Sequence, residues 1–227
     1  MTNLPYGGAF GLWRAAAATE WKDYVEHRFV QGLGDGTLPR ENFLHYLAQD
    51  YVFLINFSRA WALAVVKADT LDEMRACSAT VDGLVNYEME LHVRICAGEG
   101  ISRAQLESTR EAIGNLAYTR YVLESGFSGD FLDLLAALAP CVLGYGEIGA
   151  RLAAEGPAET YRDWVETYDG EEFQKLCRDV GALIDAALLR RLGENFEMTP
   201  RWAMLTERFT TATRLEAGFW DMGLAGP

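Results

Sequence analysis

Apolar residues recur at helical spacing from Phe43 to Trp61, and the stripe that they form contains a single charge, Asp50. Positions three, four and seven residues apart share one face of an α-helix, so the stripe predicts a long helix with one buried side. Its members are Phe43, Tyr46, Leu47, Asp50, Phe53, Leu54, Phe57 and Trp61. A lone buried carboxylate is costly unless it is paired or hydrogen-bonded. We therefore expect Asp50 to face a polar group inside the fold.

The segment before this helix, residues 27–39, is rich in glycine and ends at Pro39. We interpret its middle, which contains Gly32, Gly34 and Gly36, as a loop, because glycine favours turns and loops between helices. Proline is favoured at the first turn of a helix, so Pro39 predicts where the next helix begins.

Helical spacing continues through the rest of the chain, and short breaks rich in Gly, Pro or Asp separate the helices. We find no convincing strand, no internal repeat and no linker long enough to separate two domains. Short connections favour antiparallel neighbours, so the pattern predicts one all-α helical bundle, a single domain over residues 1–227. Ser102 and Gln105 fit a capping box. The predicted helices are 8–32, 39–68, 71–98, 103–126 with a candidate break near Gly114, 130–155, 158–168, 171–192 and 200–223.

Composition and charge exclude several classes of protein. With 227 residues, of which 50% are apolar, the chain can bury a sizeable core. Its net charge of −13 argues against a nucleic-acid partner, which needs clustered Lys and Arg. No apolar run approaches the roughly 20 residues that span a bilayer, so no membrane partner is expected. Residues 1–5 lack the basic start and apolar core of a secretory signal, so we predict a cytoplasmic protein.

The four cysteines, Cys77, Cys96, Cys141 and Cys177, are far apart and form no C-x-x-C pair. This spacing excludes the usual zinc and thioredoxin patterns, and in a reducing compartment all four should be reduced thiols.

Cys141 differs from the other cysteines in its surroundings. It lies on the apolar stripe of the helix predicted over 130–155, with Tyr145 one turn later. Pro140 precedes it and three glycines, Gly144, Gly146 and Gly149, follow, although proline and glycine both disfavour a helix interior. One interpretation is that the chain needs space or an altered backbone around this thiol. The other is that Cys141 is a small buried apolar residue and that the glycines let another helix approach.

Two further acids lie where a core is expected. Glu216 is the only acid on the buried face predicted for the last helix, and burial among aromatic residues should raise its pKa, as suits a proton carrier. The alternative is a buried glutamate satisfied by one Arg or Tyr. The face contains Phe209, Ala212, Thr213, Glu216, Phe219, Trp220 and Gly223.

Glu88 lies on the apolar stripe of the third helix, with His92 one turn later. Di-iron bundles use Glu-x-x-His, whereas the spacing here is one residue longer, so we favour a buried ion pair of Glu88 with His92 over a metal site. The lone histidines His27 and His45 are interpreted as structural or exposed. Asp50, Cys141 and Glu216 come from three different helices and together predict a closed polar pocket inside the bundle, for a substrate that the residues alone do not define.

Six segments of the sequence resemble motifs of the TenA family, the thiaminase II-type aminopyrimidine hydrolases of thiamin salvage. Residues 25–39 and 43–51 resemble its V-x-H-x-F-V-Q-G-L-G-D-G-T-L-P and F-L-H-Y-L-A-Q-D-Y motifs, and residues 140–149 its P-C-x-x-x-Y-x-E-x-G segment. Residues 167–170 resemble its T-Y-x-G turn. The E-x-x-L-H element and the C-terminal glutamate helix also match, and the resemblance runs from Trp13 to Trp220. It implies a haem-oxygenase-like, TenA-like helical bundle.

The resemblance also implies roles for individual residues. Cys141 would be the nucleophile, which places the chain in the cysteine-type branch of the family, and Asp50 would hold the aminopyrimidine edge of the substrate. Glu216 and Tyr168 would carry protons. The remaining substrate-binding positions implied are Tyr118, Tyr145 and Phe53.

Phe53 departs from the family pattern, which often has tyrosine at this position. Phenylalanine cannot hydrogen-bond the substrate or Asp50, so weaker activity or another preferred substrate is expected.

The implied reaction converts 4-amino-5-aminomethyl-2-methylpyrimidine to its 5-hydroxymethyl counterpart, and thiamin cleavage is a second implied activity. The partner is a small pyrimidine or thiamin ligand, no metal or organic cofactor is needed, and the family assembles as homotetramers. One alternative is a non-catalytic regulator that binds a pyrimidine or thiamin on the same fold. Another is an enzyme of the haem-oxygenase or di-metal type, for which the sequence offers no suitable ligand set.

Overall fold

The computed structural model describes residues 6–227, which form twelve α-helices and no strand. The predicted all-α fold is therefore confirmed. Residues 1–5 lie outside the described residues, so the structure does not test the prediction that they form no secretory signal. The helices are α1 (Gly8–Ala16), α2 (Ala18–Val25), α3 (Arg28–Asp35), α4 (Arg40–Lys67), α5 (Leu71–Gly83), α6 (Met89–Gly98), α7 (Arg103–Glu107), α8 (Ile113–Ser128), α9 (Phe131–Glu155), α10 (Arg162–Asp169), α11 (Glu171–Leu192) and α12 (Pro200–Ala225). A π-helical turn, Leu84–Glu88, joins α5 to α6.

The predicted first helix, 8–32, is three helices in the structure, and the predicted glycine loop is wrong for two of its three glycines. Gly32 and Gly34 lie inside α3, which ends at Asp35. Gly36 lies in the loop that follows, where a φ of 78° gives the left-handed conformation that glycine favours. Close packing favours glycine at position 32, because a Cβ atom there would lie 3.1 Å from Cβ of Leu38.

Two predictions about helix starts are confirmed, and the helix-start role of His27 is a new finding. Pro39 immediately precedes α4. Ser102 and Gln105 form both hydrogen bonds of a capping box at the start of α7. The predicted structural role of His27 is that of a cap, because its Nδ1 accepts the backbone N–H of Phe29 over 3.2 Å at the start of α3.

The predicted helix 103–126 breaks at residues 108–112, before the glycine expected to break it. Gly114 lies inside α8. A Cβ atom at Gly114 would lie 3.2 Å from the carbonyl oxygen of Gly218, so the glycine permits close packing and does not interrupt the helix.

The contacts divide the chain into two compact units. The first unit contains residues 1–38 and 135–217, and its described part begins at residue 6. The second contains residues 39–134 and 218–227. A single domain over residues 1–227 stays a prediction.

In the second unit, α4 and α8 pack side by side and run in the same direction. Near the start of α8, Nδ2 of Asn115 donates to the carbonyl of Gln49 in the first half of α4 over 2.8 Å. At their ends, Nζ of Lys67 donates to the carbonyl of Gly129 over 2.7 Å. All eight residues of the predicted α4 stripe are buried, which confirms the face predicted from helical spacing.

In the first unit, stacked aromatic rings join α1 to α12. The ring of Trp13 stacks on Trp202 and on Phe209, at 5.3 and 5.4 Å between ring centres. Glu147 of α9 is buried and accepts two hydrogen bonds from Arg14 of α1. A bidentate arginine–carboxylate pair is strongly oriented, so it fixes α9 against the N-terminal helices of this unit.

Among the described residues, α9 is the one helix that is long and apolar enough to cross a membrane. Its most apolar 18-residue window has a mean hydropathy of 1.5, and 94% of that window is buried inside the protein. A buried core helix passes the same test of length and composition, so the hydropathy of α9 reflects its position in the core.

Candidate active site

Asp50 lies on the buried face of α4 and is only 3% exposed. Nε2 of His92, on α6, lies 2.7 Å from its Oδ2 atom, and the Tyr46 hydroxyl donates to the same oxygen over 3.3 Å. The polar group predicted to face Asp50 is therefore present. Both contacts end on Oδ2, so Oδ1 of this buried carboxylate accepts no hydrogen bond within residues 6–227.

The two ring nitrogens of His92 both face acceptors. Nδ1 lies 2.9 Å from the backbone carbonyl of Glu88, which can only accept a hydrogen bond, so Nδ1 carries a proton. Burial opposes the charge of this imidazole, but the hydrogen bond and negative charge of Asp50, followed by the charge of Glu88, outweigh it and raise the pKa of His92. A cationic ring with two N–H donors satisfies both acceptors.

The predicted ion pair between Glu88 and His92 is wrong, because the ion pair of His92 is formed with Asp50. The physical reason is the π-helical turn at Leu84–Glu88, which ends with the N–H of Met89 bonded to the carbonyl of Leu84, five residues back. This extra residue shifts the register of the helix. Leu84, His92 and Cys96 are buried. The other members of the stripe predicted from helical spacing are only half-buried, namely Val81, Glu88, Leu91 and Ile95.

Phe53 and Tyr118, two of the predicted substrate-binding residues, lie together in the second unit. Their ring centres are 5.0 Å apart, and Phe53 also lies 5.2 Å from Phe57 and 5.4 Å from Phe219. Phe53 follows Asp50 by three residues on the same face of α4. Asp50 thus shares its face of α4 with one member of a buried aromatic cluster.

Cys141 is the one accessible thiol of the four. Cys77, Cys96 and Cys177 are buried, whereas Cys141 is partly exposed in a helix where every other residue from Phe131 to Gly149 is buried. Burial raises the pKa of Cys77 to about 12 and that of Cys96 to about 11. A thiol must be accessible and readily ionised to act as a nucleophile, so exposure separates Cys141 from the other three.

The glycines that follow Cys141 serve close packing, which confirms that part of the structural alternative. A Cβ atom at Gly144 would lie 2.2 Å from the ring of Tyr24. At Gly149 it would lie 2.6 Å from the backbone of Tyr168, which cannot move aside like a flexible side chain. Pro140 lies inside α9, and its carbonyl accepts a hydrogen bond from the Tyr24 hydroxyl over 3.3 Å.

Tyr145 and Tyr168, both predicted site residues, lie together in the first unit. Their ring centres are 4.9 Å apart, and Trp164 packs 4.6 Å from Tyr168. Tyr145 is four residues after Cys141, so it lies one turn along the same face of α9.

Gln174, on α11, holds this aromatic group by its side-chain amide and was not predicted. Its Nε2 atom donates to the carbonyls of Gly146 and Tyr168, both over 2.9 Å, and its Oε1 atom accepts from the Tyr6 hydroxyl. No feature of the sequence indicates this role, because a half-buried glutamine in an amphipathic helix is common.

Glu216 is 1% exposed, on the predicted face of α12, and all seven residues of that face are buried. It belongs to the first unit, together with Cys141, Tyr145 and Tyr168. The predicted substrate-binding residues Asp50, Phe53 and Tyr118 belong to the second unit.

Comparisons with known proteins agree on one family. A sequence model of the TENA/THI-4/PQQC family matches residues 14–226. The chain is similar to the crystal structure of a TenA family transcription regulator from Silicibacter sp. TM1040, with 61% identity, a TM-score of 0.96 and coverage of 97% of this chain and 98% of that one. It is 40% identical to an uncharacterised protein of Haemophilus influenzae, over 90% of this chain and 93% of the relative. It is 36% identical to an aminopyrimidine aminohydrolase of Halalkalibacterium halodurans, over 89% of each chain.

Proposed function

Because this chain belongs to the TENA/THI-4/PQQC family, we propose that it is a hydrolase of thiamin salvage that deaminates 4-amino-5-aminomethyl-2-methylpyrimidine to the 5-hydroxymethyl pyrimidine. The observation that carries the proposal is the exposure of Cys141 in an otherwise buried part of α9. The name of the Halalkalibacterium relative supports an aminohydrolase. Thiamin, which contains the same pyrimidine, is a second substrate of the proposed reaction.

In the proposed mechanism, the thiolate of Cys141 adds to a carbon of the electron-poor pyrimidine ring. The sulfur–carbon bond pushes electrons toward the 5-methylene group, and the carbon–nitrogen bond to the amine breaks. Water then adds to the methylene carbon, and loss of the thiolate restores the aromatic ring. The reaction assigns the chain to the cysteine-type branch of the family.

Asp50 is proposed to bind the amino group and a protonated ring nitrogen of the pyrimidine. The hydrogen bonds of Asp50 support this role, because His92 and Tyr46 both contact Oδ2 and leave Oδ1 for a ligand. A proton on the ring nitrogen makes the ring a better electron acceptor for the thiolate. Phe53 and Tyr118 are proposed to contact the face of the ring.

Glu216 is proposed to give a proton to the departing amine and then to take one from the attacking water. Its burial on α12 supports a role that needs exclusion from bulk water. Tyr168 is the second proposed proton carrier, and Tyr145, which touches its ring, is proposed to line the pocket.

A second candidate function is a non-catalytic regulator that binds a pyrimidine or thiamin. The description of the Silicibacter protein as a transcription regulator favours it. The net charge of −13 argues against direct contact with DNA, so such a regulator would act through another protein.

One assay separates the two functions. The purified protein is incubated with the aminomethyl pyrimidine, or with thiamin, and the released ammonia or thiazole is measured. An enzyme releases ammonia at a rate that disappears in Cys141→Ser, whereas a regulator binds the pyrimidine in calorimetry and releases none. Binding without turnover in the wild type contradicts the proposed hydrolase.

A further inference from the structure

The pair formed by His92 and Asp50 holds a proton whose position the structure defines. Nδ1 of His92 faces a carbonyl that cannot donate, so its proton stays in place. Nε2 faces Oδ2 of Asp50 at 2.7 Å, a distance typical of a charge-assisted hydrogen bond. The one proton of this pair that can move therefore lies between Nε2 and Oδ2.

The surroundings of the pair limit what can exchange with this proton. His92 is 1% exposed and Asp50 is 3% exposed. Within residues 6–227, the groups that act on the charge of His92 are Asp50 on α4 and Glu88 at the end of the π-helical turn, and the Tyr46 hydroxyl donates to Asp50. A ligand bound at Oδ1 of Asp50 would meet the same carboxylate that receives the proton on its other oxygen.

We propose that His92 is a positioning residue that stores the proton carried by the ring nitrogen of the bound pyrimidine. On binding, the Nε2 proton of His92 moves to Oδ2 of Asp50, the carboxyl group turns about its Cβ–Cγ bond, and the same proton passes to the ring nitrogen. His92 becomes neutral with its proton on Nδ1, Asp50 remains a carboxylate, and the ring becomes cationic, so charge and protons balance. This inference rests on the proposed function, in which Asp50 binds the pyrimidine.

The number of protons taken up from solution on binding depends on whether His92 supplies the proton of the ring. The tests are set at about pH 7.5, which is about one unit above the ordinary histidine pKa of about 6.5. At this pH the ring of a free aminopyrimidine, a weak base, is mostly unprotonated. If His92 supplies the proton, binding takes up about zero protons from solution. If His92 is replaced by a residue that cannot ionise, binding of the protonated ring takes up about one proton, and the affinity falls by up to about tenfold per pH unit.

The first test measures proton positions in the wild-type chain by ¹⁵N NMR of histidine-labelled protein at about pH 7.5. The chain has three histidines, so His27→Gln and His45→Gln assign the signals of His92. We expect both ring nitrogens of His92 to be protonated without ligand, and Nε2 alone to lose its proton when the hydroxymethyl pyrimidine binds. A neutral His92 in the unliganded protein, or a His92 that keeps both protons on binding, overturns the proposal.

The second test measures proton uptake by calorimetry of hydroxymethyl-pyrimidine binding in buffers of different ionisation enthalpy. Wild type and the control His45→Gln should take up about zero protons and His92→Gln about one. Equal uptake by wild type and His92→Gln overturns the inference while leaving pyrimidine binding intact. No binding by the wild type instead overturns the proposed function, and the inference with it. If His92→Gln does not fold, the NMR measurement on the wild type decides.

Discussion

Nε2 of Gln174 donates a hydrogen bond to the backbone carbonyl of Tyr168 over 2.9 Å, and its second proton goes to the carbonyl of Gly146 at the same distance. One amide group therefore fixes the end of α10 to the helix that carries Cys141. Oε1 of Gln174 accepts from the Tyr6 hydroxyl, which sets the orientation of the amide.

Replacing Gln174 with alanine should leave two carbonyls and one hydroxyl without this partner. We expect the free energy of unfolding to fall by about 1–3 kcal/mol, the cost of leaving buried polar groups unpaired, and kcat to fall more than KM rises. Chemical denaturation and steady-state kinetics measure the two effects. Lys175→Ala, on the exposed side of the same turn, is the matched control. Wild-type kcat in a destabilised Gln174→Ala would show that Tyr168 does not depend on this contact.

Cys141→Ser should lose nearly all hydrolysis while it folds normally, since the change in volume is small and the hydroxyl is a far weaker nucleophile. Cys77→Ser, Cys96→Ser and Cys177→Ser test whether the effect is specific, and each should retain turnover if the variant folds. Brief treatment of the native wild type with iodoacetamide, followed by peptide mass spectrometry, should label Cys141 far faster than the three buried thiols. Rapid labelling of Cys177 would contradict the burial on which this prediction depends.

Glu216→Gln keeps the shape of the side chain but cannot shuttle a proton. If Glu216 carries protons, kcat should fall by about 10²–10⁴-fold, the usual contribution of general acid–base catalysis, with little change in substrate affinity. Steady-state kinetics with the aminomethyl pyrimidine and calorimetry with the product separate the two quantities. Glu207→Gln, an exposed position on the same helix, is the control. A loss below about tenfold would move the role to Tyr168.

The stability that His92 contributes should depend on pH with a definite sign. Its pKa is raised in the folded state, so its contribution is full below the ordinary histidine pKa of about 6.5 and is lost as the pH rises through the raised value. We expect wild type to exceed His92→Gln in free energy of unfolding by more near pH 6 than near pH 9. Chemical denaturation at both values measures this difference. A difference that grows with pH would mean that His92 is neutral in the folded protein.

The predicted homotetramer can be tested through the exposed apolar residues of the second unit. Ile113 and Phe127 on α8 are 80% and 73% exposed, and Val66 on α4 is 79% exposed. Large exposed apolar groups on neighbouring helices favour contact between subunits. Light scattering should give a mass near four times the 25.3 kDa of one chain, and Phe127→Glu should lower it. A stable monomer at micromolar concentration would refute the assembly.

Helical spacing predicted much of the fold because its period is a property of the backbone. Every residue of the α4 stripe is buried, and so is every residue of the face around Glu216 on α12. The same pattern failed over residues 81–95, because a π-helical turn shifts the register there and such a turn depends on packing in three dimensions. The glycines of α3 predict a loop that is absent at Gly32 and Gly34, because a glycine required for packing and one required for a turn look alike in sequence.

The candidate site was predictable residue by residue but not in its pairings. The cost of burying a charge indicates that Asp50 needs a polar partner. That partner, His92, lies 42 residues away in the sequence. Spacing along one helix instead suggests a pair of His92 with Glu88. The exposure of Cys141 could not be predicted, because its immediate neighbours on α9 are all buried.

The π-helical turn at residues 84–88 makes the length of this segment matter as much as its composition. The turn holds one residue more than an α-helical turn, and an α-helix turns by about 100° per residue. Making the turn regular at its present length would therefore rotate everything beyond it by about that angle and turn His92 away from Asp50. A homologue shortened by one residue at this point could form a regular helix and still present its histidine to the aspartate. At the present length, regular hydrogen bonding and the pair of His92 with Asp50 are competing requirements on this segment.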